Sequence, residues 1–448
     1  MHIERKIIEE LCKWKERSDR KPLIVQGARQ IGKTTAIRMF GKRHYRHFAE
    51  FNFDKTLELK ELFRRTKDVK RLIQELPLYT DVPIVPGDTL ILFDEIQECE
   101  EALNTLKYFD EDASDYHIIA AGSLLGVALN RAGKTFPVGK VNFLQMYPVT
   151  FREYLASADG KLCEYVDGIN SVEPLPAVIT GQLTEHYQRY LVCGGLPHVT
   201  SAMLAGEGMS RIEERLEELL KAYANDFSKH VERKDITHIH EIWQSLPSQL
   251  SRENKKFIFR VIREGARARE YEAALQWLVL AGMVYKVKLT ETPRLPLSFY
   301  EDPAAFKAYM LDVGLLRKLS RLPAEVLLSP NPMFTEFKGA VAENVVLSSL
   351  LAQGYDLPHY WTLRGNKAEV DFLIQDALRI LPIEVKSDDR ISGKSFAEYD
   401  KKYQPEQRIR FSMKNLKRDG NLVNIPLYLA DWMRNICLTI FCEGCEGS

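Results

Sequence analysis

From Met1 to about Ala158, short apolar runs rich in β-branched and aromatic residues alternate with stretches of helical periodicity. That alternation predicts a mainly parallel sheet covered by helices on both faces. Strands are expected at Leu23 to Gln26, Glu50 to Phe53, Leu90 to Phe93, Ile118 to Ala121 and Val141 to Met146. Ahead of them, Ile3, Ile7, Ile8, Leu11 and Trp14 have the spacing of one helix face. Around Asp159 to Leu183 the pattern dissolves into Gly, Ser, Pro and acidic residues, including Pro174-Leu-Pro176, and a connection is expected there.

Helical periodicity then dominates from Glu185 to about Leu319, as in Arg211 to Lys221 and Ala273 to Leu278, before Val284 to Lys288 alternates in period two. Helices followed by a small strand pair suit a winged-helix type module, and many helical bundles fit as well. Mixed α/β character returns near Glu336, with a helix at Phe337 to Leu351, strands at Glu369 to Ile374 and Leu381 to Lys386, and a late strand at Ile425 to Leu429. The expected fold class is therefore α/β: a mainly parallel-sheet domain at 1–160, a helical domain at 184–325, a second α/β domain at 326–432 and a tail at 433–448.

The bulk properties change this picture little. Over 448 residues, 62 basic side chains balance 62 acidic ones, so global charge points to no partner and only local patches can. Two such patches exist: Ser251 to Glu270 carries seven Lys/Arg against three Asp/Glu, with Phe257 and Phe259 interleaved, and Asp400 to Arg418 carries seven against two. Both would suit phosphate backbones, though solvated helix faces account for most such clusters. Seven scattered cysteines suit a reducing compartment, and Cys442-Glu-Gly-Cys445 lacks the second pair a structural zinc site needs. With no apolar run long enough to span a bilayer and no signal-peptide core, a cytoplasmic location without membrane contact is expected.

Gly27-Ala28-Arg29-Gln30-Ile31-Gly32-Lys33-Thr34, followed by Thr35, carries the chemistry most sharply. It has the spacing G-x-x-x-x-G-K-[ST] between a strand and a helix, where backbone N–H groups and the helix dipole converge on an anion. Lys33 is placed to reach the β- and γ-phosphates and Thr34 to put its hydroxyl on Mg²⁺. Asp94 closes the strand Leu90 to Phe93, where a carboxylate would hold that Mg²⁺, and Glu95 follows as the candidate base for a water. No Asn-Lys-x-Asp element for guanine occurs, so ATP is the expected nucleotide.

These motifs, with Leu92-Phe-Asp-Glu-Ile-Gln97, Ala121-Gly-Ser-Leu-Leu125, Tyr147-Pro-Val-Thr-Phe-Arg-Glu-Tyr154, Gly194-Gly-Leu-Pro197 and Ser245 to Leu250, resemble bacterial and archaeal AAA-superfamily ATPases with a C-terminal domain of unknown function. The resemblance implies an additional strand between the P-loop strand and the acidic strand, ending in Ser123 as a polar sensor beside the γ-phosphate. Lys140 stands where an arginine is common in that pattern, leaving Arg131 as an alternative finger, and His198 stands where an acidic residue often follows Gly-Gly-Leu-Pro.

In the C-terminal region, strand alternation puts Glu369 and Asp371 on one face and Glu384 with Lys386 on one face of the next strand, while Glu343 falls within an apolar helical stripe. Glu343, Asp371, Glu384 and Lys386 resemble the E…D…E-x-K set of the restriction-endonuclease-like fold. Asp371 and Glu384 are then candidate ligands for a second divalent metal, and DNA or RNA a candidate partner. The leading expectation is an ATP-hydrolysing AAA-type protein coupled to a nuclease-like domain. The alternative is an ATP-dependent signalling or assembly switch whose C-terminal domain binds a partner without catalysis, the partner being a protein or a second copy of this chain.

Overall fold

The structure is a computed structural model and describes residues 3–129, 139–227, 233–252, 255–328, 335–363, 368–387 and 394–445. The chain divides into two compact units, one formed by Arg5–Tyr147 with Leu280–Gly282, the other chiefly by Pro148–Val279 with Met283–Ser448.

In the first unit five parallel strands, β1 (Leu23–Gln26), β2 (His47–Asn52), β3 (Thr89–Asp94), β4 (His117–Ala121) and β5 (Asn142–Gln145), lie in the order β2-β3-β4-β1-β5. Every residue of β3 and β4 is buried, as expected for central parallel strands packed on both faces. Phe53, Phe63, Phe93 and Phe109 interlock edge to face on one side of the sheet, with Phe51 tilted against Phe93. Each such ring contributes about 1.5–3 kcal/mol by leaving water. The strand β4 lies between β1 and β3, the additional-strand order, and all five strands fall where the apolar runs placed them, within a few residues.

The stretch expected as a connection is instead largely helical. Asp159 accepts a hydrogen bond from the backbone N–H of Leu162 at 3.0 Å and so caps a helix, Gly160–Asp167, whose Leu162, Cys163 and Val166 are buried. The pair Pro174-Leu-Pro176 occupies the gap before the next helix, Ala177–Cys193, with Pro176 at its N-cap. A good cap and three apolar residues on one face outweigh the Gly and Ser content that suggested a loop.

The second unit carries an eight-stranded mixed sheet: β6 (Val284–Thr290), β7 (Glu301–Met310), β8 (His359–Thr362), β9 (Glu369–Asp376), β10 (Arg379–Val385), β11 (Arg408–Ser412), β12 (Lys417–Asp419) and β13 (Leu422–Pro426), in the order β12-β13-β11-β10-β9-β8-β6-β7. The strand pair after the middle helices is present as β6 with antiparallel β7, and it extends this sheet through parallel pairing of β6 with β8. The late strand sits earlier than expected, because Val423 and Ile425 supply its buried alternation and Pro426, lacking an N–H, ends it. The helix Thr335–Ala352 is nearly all buried along its middle. Its Asn344 exchanges two 2.9 Å hydrogen bonds with the backbone of Met310, which fixes the helix against β7.

Candidate functional site

The loop after β1 is shaped by its glycines. At Gly27 φ is +145° and a Cβ would stand 2.4 Å from the carbonyl oxygen of Met146, while Gly32, at φ +91°, is the N-cap of the helix Lys33–His44. Only glycine satisfies the first position, since both the backbone region and the space refuse a side chain. Lys33 is buried, and its Nζ donates to the carbonyls of Gly27 at 2.8 Å and Ala28 at 2.7 Å. Burial pushes the Lys33 ammonium down to about 8, with the charges of Glu95 and Asp94 resisting that shift.

The register of β2 on β3 sets Asn52 beside Asp94. Thr34 Oγ1 donates to Asp94 Oδ1 at 3.0 Å and Asn52 Nδ2 to Asp94 Oδ2 at 3.0 Å. Burial raises the Asp94 carboxyl above its ordinary value, the Thr34 hydrogen bond opposing and the neighbouring Glu95 charge adding to the rise. A hydroxyl and a carboxylate so placed fit the hard-oxygen preference of Mg²⁺.

Glu95 follows in the left-handed region at φ +51°. Its Oε2 accepts from Gln97 Nε2 at 2.6 Å and from Ser123 Oγ, at the end of β4, at 3.4 Å. Gly122 leaves room for this clamp, because a Cβ there would stand 2.0 Å from Gln97 Oε1. Lys140 is engaged elsewhere in the unit, pairing with Asp110 at 3.4 Å and Glu111 at 3.1 Å, and Arg131 lies outside the described residues. Asn52 and Gln97 were not foreseen as site residues; the visible signal for both is a polar side chain just before or after the turn at a parallel strand's C-terminal end.

Residues 19–155 match the family described as AAA domain. This stretch is an AAA-type P-loop ATPase domain. Beyond the AAA domain, residues 184–326 match "Domain of unknown function (DUF8612)" and residues 338–429 match "Domain of unknown function (DUF4143)". No curated protein sequence matches the chain. Solved structures similar to it include the Walker-type ATPase PABY2304 of Pyrococcus abyssi, at 14% identity and TM-score 0.45, covering 71% of this chain and 96% of that one. Another is the Aeropyrum pernix ORC1 protein in complex with DNA, at 12% identity and TM-score 0.29, covering 72% and 93%.

Apart from the AAA domain, the structure gathers the C-terminal candidates into one ion network. One residue beyond the last ladder pair of β9 and β10, Ile383 with Phe372, Glu384 falls opposite Asp371. Asp371 Oδ2 accepts from the backbone N–H of Val385 at 2.8 Å. Glu384 is bound by Arg410 Nε at 2.9 Å and by Lys386 Nζ at 3.3 Å. Glu343 accepts from Lys255 and, at 2.8 Å, from the Tyr309 hydroxyl.

At the centre sits Lys307, fully buried, paired with Glu369 and standing 4.0 Å from both Glu343 and Asp371. Burial alone would lower its ammonium, yet Glu369, Glu343 and Asp371 together carry it above the usual lysine value. Burial and then the Glu343 charge push the Asp371 carboxyl up. Lys255, Lys307, Tyr309, Glu369 and Arg410 were not foreseen; Lys307 was the most legible, as the one charge within Ala304 to Met310.

The second divalent metal expected on Asp371 and Glu384 does not fit this donor set. Lys255 pairs with Glu343, Lys307 with Glu369 and, at 4.0 Å, with Asp371, and Lys386 and Arg410 both pair with Glu384, so four fixed cations already face the four carboxylates, whereas a hard dication needs carboxylates in excess of fixed cations. Among the described residues no group of three or more His, Cys, Asp or Glu is placed to hold a metal ion. The basic stretches are also partly spent inward: Lys255 and Arg410 serve this network, and Phe257 is buried against Phe306 at a ring separation of 5.1 Å. The side chains of Cys442 and Cys445 lie outside the described residues. Among the described residues, no helix is long and apolar enough to cross a membrane.

Proposed function

We propose that the chain is an ATP-hydrolysing switch whose C-terminal domain engages a partner without cutting it. Lys33 binds the β- and γ-phosphates, exchanging its backbone carbonyl partners for phosphate oxygens, and the N–H groups from Gly27 to Thr35 line the triphosphate. Thr34 and Asp94, steadied by Asn52, would hold Mg²⁺, which when bound neutralises charge on the phosphates. Glu95 accepts the proton of the attacking water as the bond from the γ-phosphorus to the β-phosphate oxygen breaks. Gln97 and Ser123 orient that carboxylate, and Ser123 serves as the polar sensor of the γ-phosphate.

The observation that carries the non-catalytic half is the engagement of Glu343, Glu369, Asp371 and Glu384 by four protein cations, Lys307 being shared by Glu369 and Asp371 while Lys386 and Arg410 both serve Glu384. Metal-dependent cleavage of DNA or RNA is the rival, favoured by the approach of Asp371, Glu384 and Lys386 on β9 and β10. Incubating single- and double-stranded DNA and RNA with the full chain and Mg²⁺ or Mn²⁺ separates the two. No cleavage with either metal is expected; cleavage lost in both Asp371→Ala and Lys386→Ala would restore the nuclease reading. Sizing the protein with and without ATP tests whether the partner is a second copy.

A further inference from the structure

Arg5, buried at the start of the first unit, sends its guanidinium onto two backbone carbonyls: Nη1 donates to Ile31 O at 2.8 Å and Nη2 to Tyr147 O at 2.6 Å. Ile31 lies inside the phosphate loop, and Tyr147 is the last residue of this unit before Pro148 opens the other. One planar, permanently charged fork thus ties two segments far apart in sequence. The helix Ile7–Glu16 that follows keeps Arg5 in place: the N–H of Ile8 donates to the Arg5 carbonyl at 3.0 Å, and Ile7, Ile8, Leu11 and Trp14 are buried.

What Arg5 grips matters for phosphate. In a trans peptide the C=O and N–H point to opposite sides, so fixing the Ile31 carbonyl on Arg5 turns the Gly32 N–H the other way. That amide belongs to the anion cradle, since Gly32 is the N-cap of the helix Lys33–His44. On the other flank of the loop a Cβ at Gly27 would stand 2.4 Å from the Met146 carbonyl oxygen, and the Met146 N–H donates to Gln26 O at 2.8 Å. Both flanks of the loop therefore rest on Met146 and Tyr147. When Lys33 leaves the carbonyls of Gly27 and Ala28 for a triphosphate, the loop resettles against these two residues.

Little slack follows Tyr147. Pro148 has its φ fixed by its ring, and Val149 is already held. The Val149 N–H donates to Gly195 O at 2.7 Å, and its carbonyl accepts from the Tyr190 hydroxyl at 2.8 Å. The Gly195 N–H in turn donates to buried Asp312 Oδ2 at 2.6 Å. A displacement of the Tyr147 carbonyl has one residue in which to be absorbed before it meets this hydrogen-bonded cluster. We propose that Arg5 is a positioning residue that sets the Ile31–Gly32 peptide for phosphate and, through Tyr147, carries nucleotide occupancy to Val149. The inference rests on ATP binding at this loop and gives the proposed switch a mechanical link. Because linkage is reciprocal, whatever shifts Val149 also changes ATP affinity.

The test uses the full chain with the non-hydrolysable β,γ-imido analogue of ATP and Mg²⁺, read by calorimetry and by amide hydrogen exchange at Val149. In the natural chain, saturating analogue should slow Val149 exchange about tenfold. Arg5→Lys replaces the fork by a single ammonium that cannot span both carbonyls, so the analogue should bind roughly tenfold more weakly and, once saturating, leave Val149 exchange unchanged. Arg5→Met should behave alike with a larger loss of affinity. Each variant is compared with itself, with and without analogue, so a mere loss of stability cancels. Unchanged affinity in both variants, or the same slowing at Val149 in Arg5→Lys as in the natural chain, would overturn the proposal. Failure of the natural chain to bind the analogue strikes the ATPase reading; binding without any response at Val149 strikes only this inference.

Discussion

The two clusters of acidic side chains in this molecule use the same residue types to opposite ends. In the AAA domain Asp94 and Glu95 are held by neutral donors, Thr34, Asn52, Gln97 and Ser123, while the buried ammonium of Lys33 is turned onto backbone carbonyls. In the C-terminal cluster each carboxylate meets a lysine or arginine, with Lys307 at the centre. Carboxylates oriented by neutral groups keep their charge available for a cation and a proton, whereas carboxylates closed by fixed cations have largely spent it. A cluster of Asp, Glu and Lys therefore signals chemistry only once its partners are known.

The sharpest break of this contrast comes at Glu95. Glu95→Gln should bind ATP as the natural chain does and lose about 10²- to 10⁴-fold in turnover, whereas Lys33→Ala should lose ATP binding itself. Steady-state hydrolysis with calorimetric ATP titration checks both, and undiminished turnover in both variants would refute the ATPase assignment of these residues.

Next in size is Lys307→Met, which leaves Glu343, Glu369 and Asp371 short of a buried counter-charge. A loss of about 3–5 kcal/mol in unfolding free energy is expected by urea denaturation. Glu95→Gln, by contrast, should cost little stability; comparable losses would erase the distinction between the clusters.

A third effect is pH-dependent. Free Lys33 titrates near 8, below the ordinary lysine value, and a bound triphosphate favours its charged form. Below that pH the group is charged in both states and affinity is flat; above it, binding must take up a proton. ATP affinity should then fall by up to about tenfold per pH unit. Titrations from pH 7 to about 9 check this, and a flat profile would mean that burial does not lower the free Lys33 ammonium into that range.

The smallest effect is at Asn52. Asn52→Ala removes one hydrogen bond from Asp94 and should weaken Mg²⁺-dependent ATP binding by about fivefold, near 1 kcal/mol. Titrations with and without Mg²⁺ isolate it, since Mg²⁺-independent binding should be unchanged.

Much of the fold was legible because it is written locally. The central strands β1, β3 and β4 are built on short apolar runs, and Gly27 and Gly32 mark a loop whose geometry admits little else. The helix Gly160–Asp167 was missed because its Gly and flanking acidic residues resemble a turn, while the Asp159 cap and the buried face formed by Leu162, Cys163 and Val166 decide otherwise. What completes the sites comes from strand register and helix docking between segments far apart in sequence. Asn52 reaches Asp94 through the pairing of β2 with β3, and Tyr309 meets Glu343 because Asn344 clamps a helix onto β7. Lys307 alone advertised itself, as a charge inside an apolar strand.

The measurement that bears most directly on the contrast is a calorimetric titration of the full chain with Mn²⁺, in the presence and absence of ATP, beside Asp371→Ala and Lys33→Ala. Nucleotide-dependent uptake abolished by Lys33→Ala and untouched by Asp371→Ala is the expected result. Nucleotide-independent Mn²⁺ binding that disappears in Asp371→Ala would contradict it.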